Sequence, residues 1–180
     1  MSESRKINFS TVWLSGCSGC HMSFLDLDEQ ILDLAQKIRM VYSPLMDAKI
    51  FPENVDVTFV EGAVGNDEQL NLIRKVREHT KILIAIGDCA VTGNMVTLRN
   101  ALNDGANVIL KRAYIETATE NPQIPNDVPK LLERAHPLNE VVKVDYFIPG
   151  CPPSADLIRY VLTEILAGRT PNMEGKAKYG

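Results

Sequence analysis

The sequence has few aromatic residues, few cysteines and no long apolar segment. Aromatic residues make up 6% of the 180 residues, and only four cysteines are present. No apolar run approaches the roughly 20 residues that a membrane-spanning helix needs. Lys and Arg form no stripe, and the formal net charge of -4 gives no attraction for polyanions. We therefore expect no direct membrane insertion and no nucleic-acid partner.

The N-terminus lacks the basic and then apolar design of a signal peptide. Residues 1–6 are polar and lead directly into an apolar stretch that begins at Ile7. This pattern predicts a cytoplasmic protein. Disulfides rarely persist in a reducing compartment, so the four cysteines indicate metal binding or redox chemistry.

The remaining composition is that of a globular protein. Hydrophobic residues make up 45% of the chain and charged residues 23%, which is ordinary for a domain with an apolar core. The length suits one compact unit. We expect a single domain over residues 1–180, with a loosely held tail from about residue 169.

Short apolar runs alternate with segments of helical periodicity. Strands are predicted at 7–14, 55–60, 81–86 and 141–148, and helices at 23–39, after Asn66 or Asp67, and at 154–167. Strand, loop and helix repeated in this way favour an α/β fold with a doubly wound, mostly parallel sheet. In such folds ligands bind outside the carboxyl ends of the strands.

Each cysteine lies just after a predicted strand. Cys17 and Cys20 follow the first strand, Cys89 the third and Cys151 the fourth. The carboxyl ends of parallel strands share one edge of the sheet, so four thiols that are distant in sequence should converge. Four thiolates are the usual ligands of a four-iron cluster. We therefore predict an iron–sulfur cluster bound by these cysteines, which would pass electrons.

Other uses of cysteine remain open at this stage. Structural zinc usually takes two closely spaced pairs, whereas Cys89 and Cys151 stand alone, but a zinc-stapled interaction scaffold is still an alternative. A redox dithiol would use Cys17 and Cys20 and leave the other two unexplained. Inert buried cysteines are a further alternative.

The motifs resemble those of [NiFe]-hydrogenase small subunits. The stretch from Trp13 to His21 (WLSGCSGCH) resembles their first motif, Val60 to Ala63 their second strand end, and Pro149 to Pro153 (PGCPP) their last ligand motif. Residues 86–94 (IGDCAVTGN) are similar to their G-x-C-A-x-x-G-G loop, with Asn94 in place of the second glycine. The motifs run in family order over about residues 13–166. The quinone-reductase (complex I) subunit is a related protein, but it usually has adjacent cysteines at the first motif.

The resemblance implies a flavodoxin-like fold with one [4Fe-4S] cluster on Cys17, Cys20, Cys89 and Cys151. It also implies a separate large subunit that carries the nickel–iron site and no catalytic residue in this chain. The absence of further cysteines favours the short cytoplasmic type, closest to soluble NAD-reducing hydrogenases, in which electrons pass towards diaphorase subunits carrying flavin and further clusters. A membrane-bound energy-converting hydrogenase or a complex I-like quinone reductase is the alternative.

Two further residues are candidates for a role near the cluster. Glu61 ends a strand on the cysteine edge and could relay protons or brace the partner subunit. His21 follows Cys20 and could donate a hydrogen bond to a cluster sulfur or tune its potential. For each residue, an ordinary structural role is the alternative.

A second cofactor and a docking surface are also suggested by the sequence. A flavodoxin-like fold could hold FMN, with Ser15–Gly16 and Thr92–Gly93 near its phosphate, although the cluster loops occupy that edge. Apolar candidates for contact with the large subunit are Trp13, Leu14, Met22, Val64 and Met95.

Overall fold

The computed structural model describes residues 5–179, so the expected domain of residues 1–180 extends beyond the described residues at both ends. Seven strands and six α-helices make up most of the regular structure of this part. The strands are β1 (Ile7–Trp13), β2 (Ile38–Tyr42), β3 (Val55–Glu61), β4 (Val64–Asn66), β5 (Thr80–Ile86), β6 (Leu131–His136) and β7 (Tyr146–Ile148). The α-helices are α1 (Gly19–Leu25), α2 (Gln30–Lys37), α3 (Asp67–His79), α4 (Asp88–Thr92), α5 (Gly105–Lys111) and α6 (Ala155–Leu166). Short 3-10 helices cover Asn94–Ala101 and Leu138–Glu140, and a π-helical turn covers Arg112–Glu116.

The main sheet has five parallel strands in the order β2-β1-β3-β5-β7. Counted along the chain this is the 2-1-3-4-5 order of flavodoxin-like proteins. Consecutive residues of β1, β3 and β5 are buried, so both faces of these strands are covered, as expected when helices pack on both sides of a sheet. The predicted fold class is confirmed.

Two apolar clusters lie on opposite faces of the sheet. Val57 and Phe59 of β3 belong to the cluster that includes residues of α1, α2 and α6. Val60, from the same strand, belongs to the cluster that includes residues of α3 and α4. Because side chains alternate along a strand, β3 contributes to both cores, which is the packing of a doubly wound sheet.

The predicted helix at 23–39 is wrong in its extent. Helix α1 ends at Leu25, α2 begins at Gln30, and the chain enters β2 at Ile38. Asp28 between the helices has a φ of 49°, a left-handed conformation that a continuous helix does not contain. Ile38 instead pairs with Ile7 of β1, so pairing at the sheet edge overrides the helical periodicity.

The fourth predicted strand is also shorter than expected. Only Tyr146–Ile148 pairs with β5, and residues 138–140 form a 3-10 helix. Strand β6 pairs antiparallel with the short β4 instead. By contrast, the two predicted helix starts are confirmed, and both helices are capped: Asn66 Oδ1 accepts from Gln69 N–H at 2.8 Å, and Ser154 Oγ accepts from Leu157 N–H at 3.3 Å.

The segment after α6 contacts that helix. Arg169 pairs with Glu164 at 2.6 Å, and Asn172 N–H donates to the Tyr160 hydroxyl at 3.1 Å.

No helix within residues 5–179 is long and apolar enough to cross a membrane.

Candidate functional site

All four cysteines line one pocket at the carboxyl edge of the sheet. Cys20 is buried, Cys89 is half-buried, and Cys17 and Cys151 are exposed. The pocket lining is completed by Gly19, Glu61, Asp88, Gly150 and Pro152. The convergence expected from the strand order is therefore present, and it needs three separate loops to meet.

The loop that carries Cys17 is fixed to the end of β3. Leu14 N–H donates to the carbonyl of Glu61 at 2.8 Å, and Ser15 and Ala63 exchange two backbone hydrogen bonds at 3.0 and 2.8 Å. The first bond extends the parallel pairing of β1 and β3, whereas Ser15 and Ala63 form a separate antiparallel bridge beyond the strand ends. Cys17 and Cys20 are thereby held beside the carboxylate of Glu61.

Asp88 joins the Cys89 loop to the Cys151 loop. Its Oδ1 accepts from Gly150 N–H at 2.6 Å, and its own N–H donates to the Gly150 carbonyl at 2.9 Å. Ser23 Oγ donates to the Pro153 carbonyl at 2.6 Å and ties α1 to the same loop. Sequence reasoning did not assign Asp88 a role, although its place between a strand end and Cys89 was a usable signal.

Gly87 allows the backbone to approach Cys20 closely. It has a φ of 82°, and a Cβ at this position would lie 2.1 Å from the sulfur of Cys20. Only glycine combines this conformation with such an approach at little cost. The end of β5 therefore forms the wall behind the most buried thiol.

The pocket disfavours free thiolates. Burial, followed by the negative charges of Glu61 and Cys17, raises the pKa of the Cys20 thiol well above its ordinary value. Burial, and then Cys151 and Cys17, likewise raise the pKa of Cys89. No Lys or Arg is among the lining residues. A bound metal would supply the missing positive charge, since metal ligation deprotonates thiols.

The donor set fits an iron–sulfur cluster. Four cysteine sulfurs are soft ligands of the type that iron–sulfur clusters take. The absence of a side chain at Gly87 leaves space for the sulfur of Cys20. Within residues 5–179, no group of three or more His, Cys, Asp or Glu side chains is arranged to hold a single metal ion. The four cysteine sulfurs line a pocket.

His21 and Glu61 form a buried pair next to this pocket. Glu61 Oε2 accepts from His21 N–H at 3.0 Å and lies 2.5 Å from His21 Nδ1. The ring packs edge-on against Trp13, with 5.2 Å between centroids, and its Nε2 is buried without a hydrogen-bond partner. Glu61 itself lines the cysteine pocket, so His21 is linked to the pocket through this carboxylate.

Asn94 is a second residue whose role sequence reasoning missed. Its side-chain Nδ2 lies 3.6 Å from the sulfur of Cys151, within hydrogen-bonding reach. The sequence offered one signal, since Asn94 stands where the resembling motif has glycine.

The hydroxyl groups proposed for an FMN phosphate are both engaged within the chain. Ser15 Oγ donates to Gln69 Oε1 at 2.9 Å, and Thr92 Oγ1 donates to the Asp88 carbonyl at 2.9 Å. A flavin phosphate at this edge would have to displace both hydrogen bonds.

The five apolar docking candidates fall into two groups. Trp13, Met22 and Met95 are exposed, whereas Leu14 and Val64 are buried in the core. Leu14 and Val64 are therefore unsuited to contact with a partner, because they pack under the sheet edge.

Comparison with known proteins identifies the family. The family described as "NADH ubiquinone oxidoreductase, 20 Kd subunit" matches residues 17–165. The chain belongs to this family. It is 42% identical over 172 residues to the NAD-reducing hydrogenase HoxS subunit delta of Cupriavidus necator, covering 91% of this chain and 80% of that protein. The predicted resemblance to hydrogenase small subunits and to the quinone-reductase subunit is confirmed.

Two further relatives add to this picture. The iron-sulfur subunit of the F420-non-reducing hydrogenase of Archaeoglobus profundus is 30% identical over 179 residues, and the match covers 88% of this chain but 55% of that protein. A chain in a crystal structure of an NAD+-reducing [NiFe]-hydrogenase superimposes with a TM-score of 0.92 at 39% identity, covering 98% of this chain and all of that one. The relatives named here are hydrogenase subunits, and hydrogenases are oxidoreductases. The fold of the NAD+-reducing hydrogenase chain is shared along almost the whole of this chain.

Proposed function

We propose that this chain is the electron-transfer subunit of a cytoplasmic NAD-reducing [NiFe]-hydrogenase and holds a single [4Fe-4S] cluster. The observation that carries the proposal is the convergence of Cys17, Cys20, Cys89 and Cys151 on one pocket at the carboxyl edge of the sheet. The similarity to the HoxS delta subunit supports the hydrogenase assignment. The name of the Archaeoglobus relative, an iron-sulfur subunit, supports the class of cofactor.

When bound, the cluster would accept and release single electrons at this edge of the sheet. The four cysteine sulfurs would bind the irons. Asp88 fixes the relative position of Cys89 and Cys151 through Gly150. The burial of Cys20 keeps water from one side of the site, while the exposure of Cys17 and Cys151 leaves the other side open to a partner.

The open side supports docking of a large subunit that carries the nickel–iron site. Trp13, Met22 and Met95 are 36%, 61% and 67% exposed, and exposed apolar side chains of this size are typical of the centre of a stable interface. All four cysteines of the chain line the cluster pocket, so a nickel site with thiolate ligands would have to lie on the partner. Diaphorase subunits with flavin and further clusters would receive the electrons and reduce NAD.

The test is the iron content of the purified complex after substitution of a cysteine. Cys89→Ser is expected to lower iron and sulfide and to change the paramagnetic resonance spectrum of the reduced protein, because thiolates dominate iron–sulfur ligation. Thr92→Ser, one turn later in α4, is the matched control. It keeps a hydroxyl that can donate to Asp88 and should retain full iron. Wild-type protein with zinc in place of iron would contradict the proposal.

The family description favours one other function, a complex I-like quinone reductase. The same pocket would serve either enzyme, and the difference would lie in the partner chains. Native mass spectrometry of the intact complex, together with hydrogen-dependent reduction of NAD, separates the two. A complex that reduces quinone but shows no hydrogen uptake would favour the second function.

A further inference from the structure

Asn94 connects two of the cysteine-bearing segments. It follows directly on the turn that ends α4, where Gly93 N–H donates to the Cys89 carbonyl at 3.1 Å. Its side-chain Nδ2 reaches across to the sulfur of Cys151 at 3.6 Å. The Asn94 carbonyl accepts from Thr97 Oγ1 at 2.9 Å, which fixes the backbone from the other side.

The surroundings make this contact electrostatically important. Apart from the four cysteines, the polar side chains that line the pocket are acidic, namely Glu61 and Asp88. Within residues 5–179, Asn94 is the residue whose side-chain N–H is placed to donate to a cysteine sulfur. Cys151 is exposed, so the amide offers a hydrogen bond to a sulfur that lies on the solvent side of an acidic pocket.

The Asn94 hydrogen bond would affect the reduction potential of the cluster, because reduction changes the charge of the site. Reduction of the cluster adds one electron and one unit of negative charge, without making or breaking a covalent bond. Hydrogen bonds to the sulfurs stabilise the more negative state and therefore raise the reduction potential. The acidic side chains act in the opposite direction.

We propose that Asn94 is a positioning residue that raises the reduction potential of the cluster by donating a hydrogen bond to the Cys151 sulfur. This inference rests on the proposed function, since it requires the cluster. It adds that the reduction potential of the cluster is set in part by the side-chain amide of Asn94, which stands where the G-x-C-A-x-x-G-G motif has its second glycine.

The test is a redox titration of the purified complex, followed by the paramagnetic resonance signal of the reduced cluster. Asn94→Gly removes the donor and suits the backbone, because Asn94 has a φ of 35°. We expect the ratio of reduced to oxidised cluster at a fixed potential to fall about tenfold, which is 59 mV for one electron. Asn94→Asp keeps the shape, removes the N–H and adds a negative charge, so it should lower the ratio further.

Asn121→Gly is the matched control. Asn121 likewise has a positive φ, 45° against 35° for Asn94. It is exposed and lies outside the pocket, so its replacement should leave the titration unchanged. A full iron content with an unchanged midpoint in both Asn94 variants would overturn the inference, as would an equal shift in Asn121→Gly. If Asn94→Gly loses its iron, Asn94→Asp decides: an unshifted midpoint there refutes the role. Wild-type protein without iron would instead reject the proposed function itself.

Discussion

Replacement of Gly87 by Ala should remove the cluster by displacing one ligand. The added Cβ would lie 2.1 Å from the sulfur of Cys20, whereas ordinary van der Waals contact begins near 3.4 Å. The sulfur would have to move by about 1.3 Å, several times the roughly 0.2 Å tolerance of a metal–ligand distance. We therefore expect Gly87→Ala to lose most of its iron.

The backbone cost must be separated from this steric effect. Gly87 has a φ of 82° and a ψ of 155°, a conformation almost restricted to glycine, in which an alanine costs about 1–3 kcal/mol. Gly168 has a φ of 71° and no atom within 4 Å of its added Cβ. Gly168→Ala therefore places an alanine at a positive φ without the steric contact, and it should keep its iron.

The assay is the iron and sulfide content of the two purified variants, with their thermal midpoints measured in parallel. We expect both variants to lose stability and only Gly87→Ala to lose iron. Equal iron contents in Gly87→Ala and Gly168→Ala would refute the reasoning, because Cys20 would then tolerate displacement or take no part in ligation.

Two further predictions concern aspartates. Asp88→Ala removes the buried acceptor of Gly150 N–H. Because a hydrogen bond to a charged group contributes about 1.5–3 kcal/mol, loss of the proposed cluster to an iron chelator should accelerate by about tenfold or more. An unchanged half-life of the cluster would show that the Cys89 and Cys151 loops keep their positions without this bond. Burial alone would raise the pKa of Asp145, but the N–H of Leu83 and the guanidinium of Arg77 outweigh it and lower the pKa below its ordinary 3.8. Asp145→Asn should therefore destabilise the protein by about 1 kcal/mol or less at neutral pH. The difference in thermal midpoint between wild type and variant should shrink as the pH falls below 3.8 through the lowered pKa of Asp145. A difference that does not depend on pH would contradict this assignment.

The sequence predicted the fold class and the convergence of the four cysteines, and each success has a local cause. Apolar runs followed by small-residue loops identified β1, β3 and β5, and the side chains of Asn66 and Ser154 identified two helix starts. Parallel strands share one carboxyl edge, so the positions of the four cysteines after strands were enough to predict that they meet. That prediction needed no knowledge of distances.

Other features depended on contacts between distant segments. Strand β2 was mistaken for the end of a helix because residues 31–38 have helical periodicity, and pairing with β1 decides their final structure. Strand β7 is short because residues 138–140 form a 3-10 helix and the N–H groups of Val141 and Val142 bond back to the Leu138 carbonyl before the chain reaches β5. Periodicity describes one segment at a time, whereas a sheet edge is filled by whichever segment the tertiary structure brings beside it.

The sequence by itself determined that the four cysteine thiols lie at one edge of the sheet, because strand direction and residue order are properties of the chain. Only the tertiary structure decided what surrounds those sulfurs. The distance from Asn94 to Cys151, the bond from Gly150 to Asp88 and the approach of Gly87 to Cys20 each join residues at least 57 positions apart. Such contacts follow from how the loops pack against one another, and no local pattern in the sequence records them.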